Sequence, residues 1–213
     1  PDGIPSRFIF QIRDYIVDPF CTIFNVCFYQ GRLPRVWLDA NVIPVYKGKN
    51  SIGNMENYRP ISLTSVFSKV MERCVKEKIA EHLVVNDLLS SHQHGFVSQR
   101  STLTNLLKCT NDWVNMLQDG KCVDALYFDL KKAFDSVIHS KLLLKCQSYG
   151  LGGSMLRYIS AFLLGRRQRV TINNSESNWL PVASGVPQGS VLGPLLFLIY
   201  INDAPDATQG SIM

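Results

Sequence analysis

An aspartate at the end of a short apolar run is the residue whose position most suggests chemistry. Val123 and the run 125–128 are too short for a stable helix and predict a buried strand, and Asp129 follows directly. A carboxylate delivered there is costly unless a cation or strong hydrogen-bond donors meet it. For an isolated Phe-Asp pair, a helix cap or a turn aspartate is the favoured interpretation.

Two motifs carry a resemblance to a known family. Residues 128–137 read Phe-Asp-Leu-Lys-Lys-Ala-Phe-Asp-Ser-Val, which resembles the first catalytic motif of the reverse transcriptases of non-LTR (LINE-like) retrotransposons. Residues 185–197 read Gly-Val-Pro-Gln-Gly-Ser-Val-Leu-Gly-Pro-Leu-Leu-Phe, which resembles the same family's nucleotide-binding motif. The motifs occur in the family's order, and the resemblance covers nearly the whole chain. It implies an RNA-directed DNA polymerase that acts on an RNA template, a DNA primer and dNTPs.

Composition is consistent with this resemblance and excludes several other classes. With 46% hydrophobic and 18% charged residues in 213, the chain is not disordered and suits one large domain or two closely packed lobes. The net charge of +5 is compatible with a polyanionic partner. Six cysteines without CxxC pairing predict reduced, buried thiols.

The sequence also predicts where the protein acts. No apolar run reaches membrane-spanning length, and no charged-then-apolar leader opens the chain. We therefore expect an intracellular protein without a membrane partner, and the resemblance implies nuclear action.

Two cations lie on a predicted hairpin. Residues 42–45 suggest a strand that Pro44 confines to a sheet edge or a bulge, and residues 57–63 suggest a second strand. Lys47 and Arg59 would then lie on one lobe. By the resemblance, both hold the triphosphate of the incoming nucleotide, since Arg grips a phosphate with two hydrogen bonds and Lys acts as a point charge. The alternative is a solvated turn lysine and a surface arginine.

The resemblance assigns roles to five further motif residues. Phe134 would lie under the sugar and exclude a ribose 2′-hydroxyl, although a core phenylalanine explains it as well. Gln188 and Gly189 would contact the incoming nucleotide. Gly185 and Pro187 would bring the backbone close to the template and primer, because glycine permits close approach and proline stiffens the chain.

Four arginines are candidates for contact with the template or primer. Arg100 lies in a loop that resembles the family's Gly-Phe-x-x-x-Arg-Ser-Thr loop. Arg166, Arg167 and Arg169 lie on a predicted basic strand, where they either contact the nucleic-acid backbone or protect a solvated edge strand with charge.

The resemblance also implies a magnesium site. Two divalent ions about 3.5–4 Å apart serve such phosphoryl transfers, and they need converging carboxylates. Asp129 would be the first ligand, and the Leu130 carbonyl could add an oxygen. The family's aromatic-Ala-Asp-Asp hairpin, expected soon after residues 201–203, is not in the sequence, which contains no Asp-Asp dipeptide.

The expected architecture is α+β, and by resemblance it is a right-hand polymerase fold. Residues 1–120 would form N-terminal helices and fingers, and residues 121–213 mainly palm with a helical connection at 140–165; the thumb would be absent. Pro19 is expected to separate two short helices. Ser101 is expected to cap a helix whose leucines face inward. The alternative function is a non-catalytic nucleic-acid-binding remnant of a retroelement.

We expect the 213-residue chain alone to show no measurable polymerase activity, because it carries one metal-binding aspartate of the usual set. Primer extension on an RNA template with magnesium measures this. Robust synthesis that depends on Asp129 would contradict the expectation.

Overall fold

Helices and one small sheet make up residues 2–49, 51–173 and 175–207, which are the residues that the computed structural model describes. The fold is mixed α+β, as predicted. The helices are α1 (Ser6–Gln30), α2 (Arg35–Leu38), α3 (Val66–Val85), α4 (Thr102–Gln118), α5 (His139–Ser148), α6 (Gly153–Leu163) and α7 (Gly193–Ile201). The strands are β1 (Asp39–Tyr46), β2 (Tyr58–Leu63), β3 (Arg167–Ile172), β4 (Ser175–Glu176) and β5 (Leu180–Pro181), and 3-10 turns lie at Met55–Asn57 and Ala204–Ala207.

The sheet is built around β1. Its strand order is β2-β1-β3-β4, with β5 also paired to β3. The predicted hairpin is present, since β1 and β2 are antiparallel and Pro44 faces Pro60. Strand β1 as a whole is not an edge strand, because it also pairs with β3 in parallel, but Pro44 itself lies where β1 pairs with β2 alone, as the predicted edge position requires. That second pairing ends at Val42, so the missing N–H of Pro44 interrupts no bond to β3.

The first helix continues past its internal proline. The predicted break at Pro19 is wrong: α1 is continuous for 25 residues and ends at Gly31, which adopts the left-handed conformation with φ 63°. An internal proline costs about 3 kcal/mol. Aromatic packing on one face of the helix offsets this cost, because Phe20 stacks on Phe67 at 4.1 Å and Phe24 lies edge-on to Trp37.

The core unites α3, α5, α6 and α7 in one cluster of buried apolar side chains. Helix α7 is apolar almost throughout, and Leu196 and Ile199 are completely buried. The polar residue that follows α7, Asn202, makes three hydrogen bonds. Asn202 accepts from Ser90 N and donates to Leu88 O and to Tyr149 Oη, at 2.8–2.9 Å.

The stretch 121–130 does not form the predicted buried strand. It has no regular secondary structure, and Leu126, Tyr127 and Phe128 are 82–86% exposed. A strand is stable only when its N–H and C=O groups find a partner, and none of the strands in the described ranges pairs with this stretch.

Helix α4 is likewise only partly as predicted. Ser101 and Thr104 form a capping box at its start. Its leucines do not face inward, however, because Leu103, Leu106 and Leu107 are more than 60% exposed.

The structure also bears on the expectations about membrane-spanning segments and cysteines. None of the described helices is long and apolar enough to cross a membrane. All six cysteines are free, but only Cys27 and Cys146 are buried, and burial raises the pKa of the Cys146 thiol to about 12.

Truncating the core helix should destabilise the fold. We expect Leu196→Ala to lower the free energy of unfolding by about 2–5 kcal/mol, because it leaves a cavity in a fully packed site. Leu126→Ala is the matched control and should change it by less than about 0.5 kcal/mol. Urea unfolding followed by circular dichroism measures both. Equal losses would mean that the stretch 121–130 is buried after all.

Candidate functional site

The two motifs meet through direct backbone hydrogen bonds. Gly185 N donates to Val137 O at 2.8 Å, and Val186 N donates to Phe134 O at 2.9 Å. The buried His139 side chain adds a contact at 2.8 Å between its Nε2 and Gly185 O. The sequence analysis missed His139, which follows the first motif by two residues but carries no pattern of its own.

The loop that leads from this junction to the start of α7 also contacts β2. Ser62 N donates to Gln188 O at 2.7 Å. Gly189 has φ 125°, and a Cβ there would lie 2.5 Å from Ser62 O, so only glycine fits. At Gly185, with φ 87°, a Cβ would lie 2.8 Å from Asp135 Cα. Both glycines are therefore required by a close approach to the protein's own backbone, and their contact with template, primer or nucleotide stays a prediction.

A cavity of about 270 Å³ lies beside this loop, between it and strands β1 to β3. Its lining contains five of the predicted site residues, namely Arg166, Arg167, Gly185, Pro187 and Gln188. The cavity thus brings together residues predicted to contact the template or primer with Gln188, which is predicted to contact the nucleotide.

The two cations of the hairpin lie outside that lining. Lys47 lies just past β1, where its Nζ donates to the Glu56 carbonyl at 2.7 Å. Arg59 faces Val45 across the hairpin and is exposed. An ammonium has three donors, so Lys47 keeps two for another ligand.

Phe134 is half-buried between two aromatic rings. Its ring stacks on Phe197 at 4.7 Å and meets the edge of Phe96 at 6.2 Å. Both interpretations of Phe134 fit this packing, since one face of a ring braced from behind can still meet a sugar.

The basic cluster of β3 finds partners within the chain. Arg167 grips Asp39 with two bonds of 3.1 and 2.8 Å, and Arg169 bonds to Asn41 at 2.9 Å and pairs with Glu176. The edge-strand interpretation is wrong, because β3 pairs with β1 on one side and with β4 and β5 on the other.

Arg166 differs from its neighbours because it is only 3% exposed. Its Nη1 donates to Phe162 O at 3.2 Å, and the guanidinium lies over the Phe162 ring. Burial lowers the pKa of this guanidinium, against the opposing charge of Glu72.

The Arg100 side chain forms hydrogen bonds to the backbone of the loop in which it lies. One guanidinium nitrogen donates to the carbonyls of Ser90, Ser91 and Gln93 at 2.7–3.2 Å. These bonds hold the loop that precedes α4, and the side chain remains exposed.

Asp129 and Leu130 lie in the exposed stretch and do not line the cavity. Two residues on, Lys131 Nζ lies 3.5 Å from a Glu56 carboxylate oxygen, which places this stretch beside the tip of the β1–β2 hairpin. Within the described residues, no group of three or more His, Cys, Asp or Glu side chains could hold a metal ion. Asp129 therefore supplies a single carboxylate, and the described residues do not form a magnesium site by themselves.

Glu72 is the second site residue that the sequence analysis missed. It is completely buried on α3, and its carboxylate accepts hydrogen bonds from the backbone N–H groups of Val191 and Leu192. One signal was available, because Glu72 stands between Met71 and Val75 on the apolar face of α3.

Comparison with known proteins gives one consistent result. Residues 47–212 match the family described as "Reverse transcriptase (RNA-dependent DNA polymerase)". The chain is 29% identical over 207 residues to the RNA-directed DNA polymerase from mobile element jockey of Drosophila melanogaster, covering 97% of this chain and 22% of that protein. It is 31% identical to the probable RNA-directed DNA polymerase from transposon BS of the same species, covering 86% of this chain and 20% of that protein.

A third relative comes from another insect. The chain is 30% identical to the Retrovirus-related Pol polyprotein from type-1 retrotransposable element R2 of Nasonia vitripennis, covering 92% of this chain and 18% of that protein. The chain thus spans about a fifth of the length of the curated relatives it matches.

The contact at Gly189 can be tested by adding one methyl group. We expect Gly189→Ala to lower the free energy of unfolding by at least about 2 kcal/mol, because it combines a strained φ with a clash against Ser62 O. Gly152→Ala, at a position with open space around the added carbon, should change it by less than about 1 kcal/mol. Urea unfolding of both variants and of the parent protein measures these changes. If Gly189→Ala leaves the free energy of unfolding unchanged, the close contact between Gly189 and Ser62 is refuted.

Proposed function

Because the chain belongs to the reverse transcriptase (RNA-dependent DNA polymerase) family, we propose that it is the nucleotide-selecting part of a polymerase that copies RNA into DNA for a LINE-like, non-LTR retrotransposon. The observation that carries this proposal is the junction of the two motifs. It connects Phe134 to the loop that bears Gln188, and it places this loop against the hairpin that bears Lys47 and Arg59.

We infer that residues 1–120 act as fingers with N-terminal helices, and that residues 121–213 act mainly as palm, with the connection 140–165. The β1–β2 hairpin and the helical pair α5–α6 support these assignments. The sheet crosses the proposed boundary, because β1 from the first part pairs with β3 from the second. The two parts would therefore move together at this sheet.

The incoming dNTP would meet residues from three segments. Lys47 and Arg59 would bind the triphosphate, Phe134 would lie under the sugar, and Gln188 with Gly189 would contact the nucleotide from the loop. The bracing of Phe134 by Phe197 supports the sugar contact, since a fixed ring discriminates against a 2′-hydroxyl better than a mobile one.

Template and primer contact is proposed for Arg100, Gly185 and Pro187, which lie at exposed or cavity-lining positions. For Arg166, Arg167 and Arg169 the internal partners favour a different role in this same site. Arg167 and Arg169 hold β3 against β1 through Asp39 and Asn41, whereas Arg166 and Arg167 line the cavity. Any contact with the nucleic-acid backbone would come from donors that these partners leave free.

Magnesium remains the proposed cofactor. Divalent ions of this kind lower the pKa of an attacking hydroxyl and stabilise a leaving group. Asp129 and the Leu130 carbonyl would provide oxygens for it, and further carboxylates must converge on them. We propose that the complete polymerase works on an RNA template and a DNA primer, and that it acts in the nucleus.

A second function is favoured by the position of Asp129. This carboxylate lies in an exposed stretch that is not held by the sheet. A protein in that state could bind RNA without extending a primer, as a non-catalytic remnant of a retroelement would.

Substitution of Asp129 separates the two functions. In the retrotransposon polymerase that contains this domain, we expect Asp129→Asn to reduce magnesium-dependent primer extension by at least about 100-fold, since even outer partners of metal sites cost about 10–100-fold. Asp124→Asn, in the same exposed stretch, is the matched control and should retain activity. RNA binding, measured by filter retention, should be unchanged in both. Extension that survives Asp129→Asn would refute the catalytic role, and RNA binding without extension by the parent protein would establish the remnant.

A further inference from the structure

A fully buried carboxylate holds the end of the loop 185–192, which bears Gln188 and Gly189. Glu72 Oε2 accepts hydrogen bonds from Val191 N at 2.7 Å and from Leu192 N at 3.2 Å, and its Oε1 accepts from Ser68 Oγ at 2.9 Å. A buried charge is costly unless charge-assisted bonds of this kind meet it. Both carboxylate oxygens are therefore engaged.

The two amides that Glu72 binds immediately precede α7, and Leu192 is the N-cap of this helix. The first N–H groups of a helix have no partner within the helix, and they carry the positive end of its dipole. A carboxylate fixed there stabilises this helix start more than a neutral acceptor would. Because α3 carries Glu72, the bond locks the beginning of α7 to a different helix, 119 residues away in the sequence.

Hydrogen bonds also fix the rest of this loop. Its first residues bond to Val137 and Phe134, and its centre bonds to Ser62 through Gln188 O. Between Gln188 and Val191, Ser190 Oγ donates to Pro187 O at 2.8 Å and accepts from Gly193 N at 3.0 Å. Glu72 is thus the anchor on the C-terminal side of Gln188, and the backbone around Gln188 has little freedom left between its anchors.

We propose that Glu72 is a positioning residue for nucleotide binding: its carboxylate fixes the loop so that Gln188 and Gly189 present one backbone geometry to the incoming nucleotide. This inference rests on the proposed function. It differs from a purely structural role, because loss of the charge should impair nucleotide binding more than it impairs the fold or the chemical step.

The cavity supplies a second reason to expect an effect at the site. Arg166 lines the cavity together with Gln188, and the charge of Glu72 favours the charged form of this buried guanidinium. Removal of the carboxylate would therefore change both the loop and the electrostatics of the cavity wall.

The test compares Glu72→Gln with Glu77→Gln, an exposed glutamate on the same helix. Glutamine keeps the shape of the side chain but removes the charge and leaves one acceptor oxygen for both Ser68 and the loop amides. In the 213-residue chain, hydrogen–deuterium exchange of the peptide that contains Val191 and Leu192 should be roughly tenfold faster in Glu72→Gln, and unchanged in Glu77→Gln. Equal exchange in the two variants would overturn the inference. If Glu72→Gln does not fold, Glu72→Asp keeps the charge but shortens its reach, and the same peptide is compared.

The second measurement uses the retrotransposon polymerase that contains this domain, on a poly(rA) template with an oligo(dT) primer. For Glu72→Gln the KM for dTTP should rise roughly tenfold while kcat changes by less than about twofold, because the lost interaction acts on binding. A KM that stays at the parent value while exchange increases would show a structural role only, and it would overturn the inference. If the parent protein incorporates no dTTP, the proposed polymerase function fails, and the positioning role fails with it; the exchange result then reports on the loop anchor alone.

Discussion

The pair of backbone hydrogen bonds between Gly185 and Val137 and between Val186 and Phe134 is the constraint on which the rest of the site depends. These bonds join two segments that lie about fifty residues apart, and they leave no room for side chains where the backbones cross. The positive φ and close contacts of Gly185 belong to that crossing, since a Cβ there would meet the backbone of Asp135. Gly189 has a second close approach, in which a Cβ would meet the Ser62 carbonyl of β2. The loop geometry is thus fixed by sterics before any ligand contributes.

The site is rigid because its loop continues directly into the core. Helix α7 begins at Gly193 and is buried on nearly all sides, so the loop that precedes it cannot shift without moving α5 and α3. The buried polar groups around α7 are satisfied at both ends, by Glu72 at its start and by the bonds of Asn202 at its end. Polar anchors of this kind specify one orientation for an apolar helix that could otherwise rotate among similar packings.

Local sequence signals predicted the elements whose stabilising contacts are local, and they failed where the contacts are distant. The β1–β2 hairpin and the Ser101 cap follow from short patterns, and both are present. The stretch 121–130 has the sequence of a strand, but a strand depends on a partner elsewhere in the chain. Continuity of α1 through Pro19 depends likewise on aromatic packing against Phe67 and Trp37, which no local rule reveals.

The distribution of paired charge indicates where a polyanion would be bound. On β3, Arg167 and Arg169 face Asp39 and Glu176, and at the end of α7 Lys145 faces Asp203, so these cations are already neutralised. At the hairpin tip the balance differs. Lys47 donates to a neutral carbonyl, and none of the ion pairs found among the described residues includes it or Arg59. A triphosphate carries several negative charges, and it gains most from cations whose charge is not yet compensated. This distribution supports the proposal that the hairpin, and not the arginine-rich strand, binds the triphosphate, although the strand is the more basic of the two in sequence.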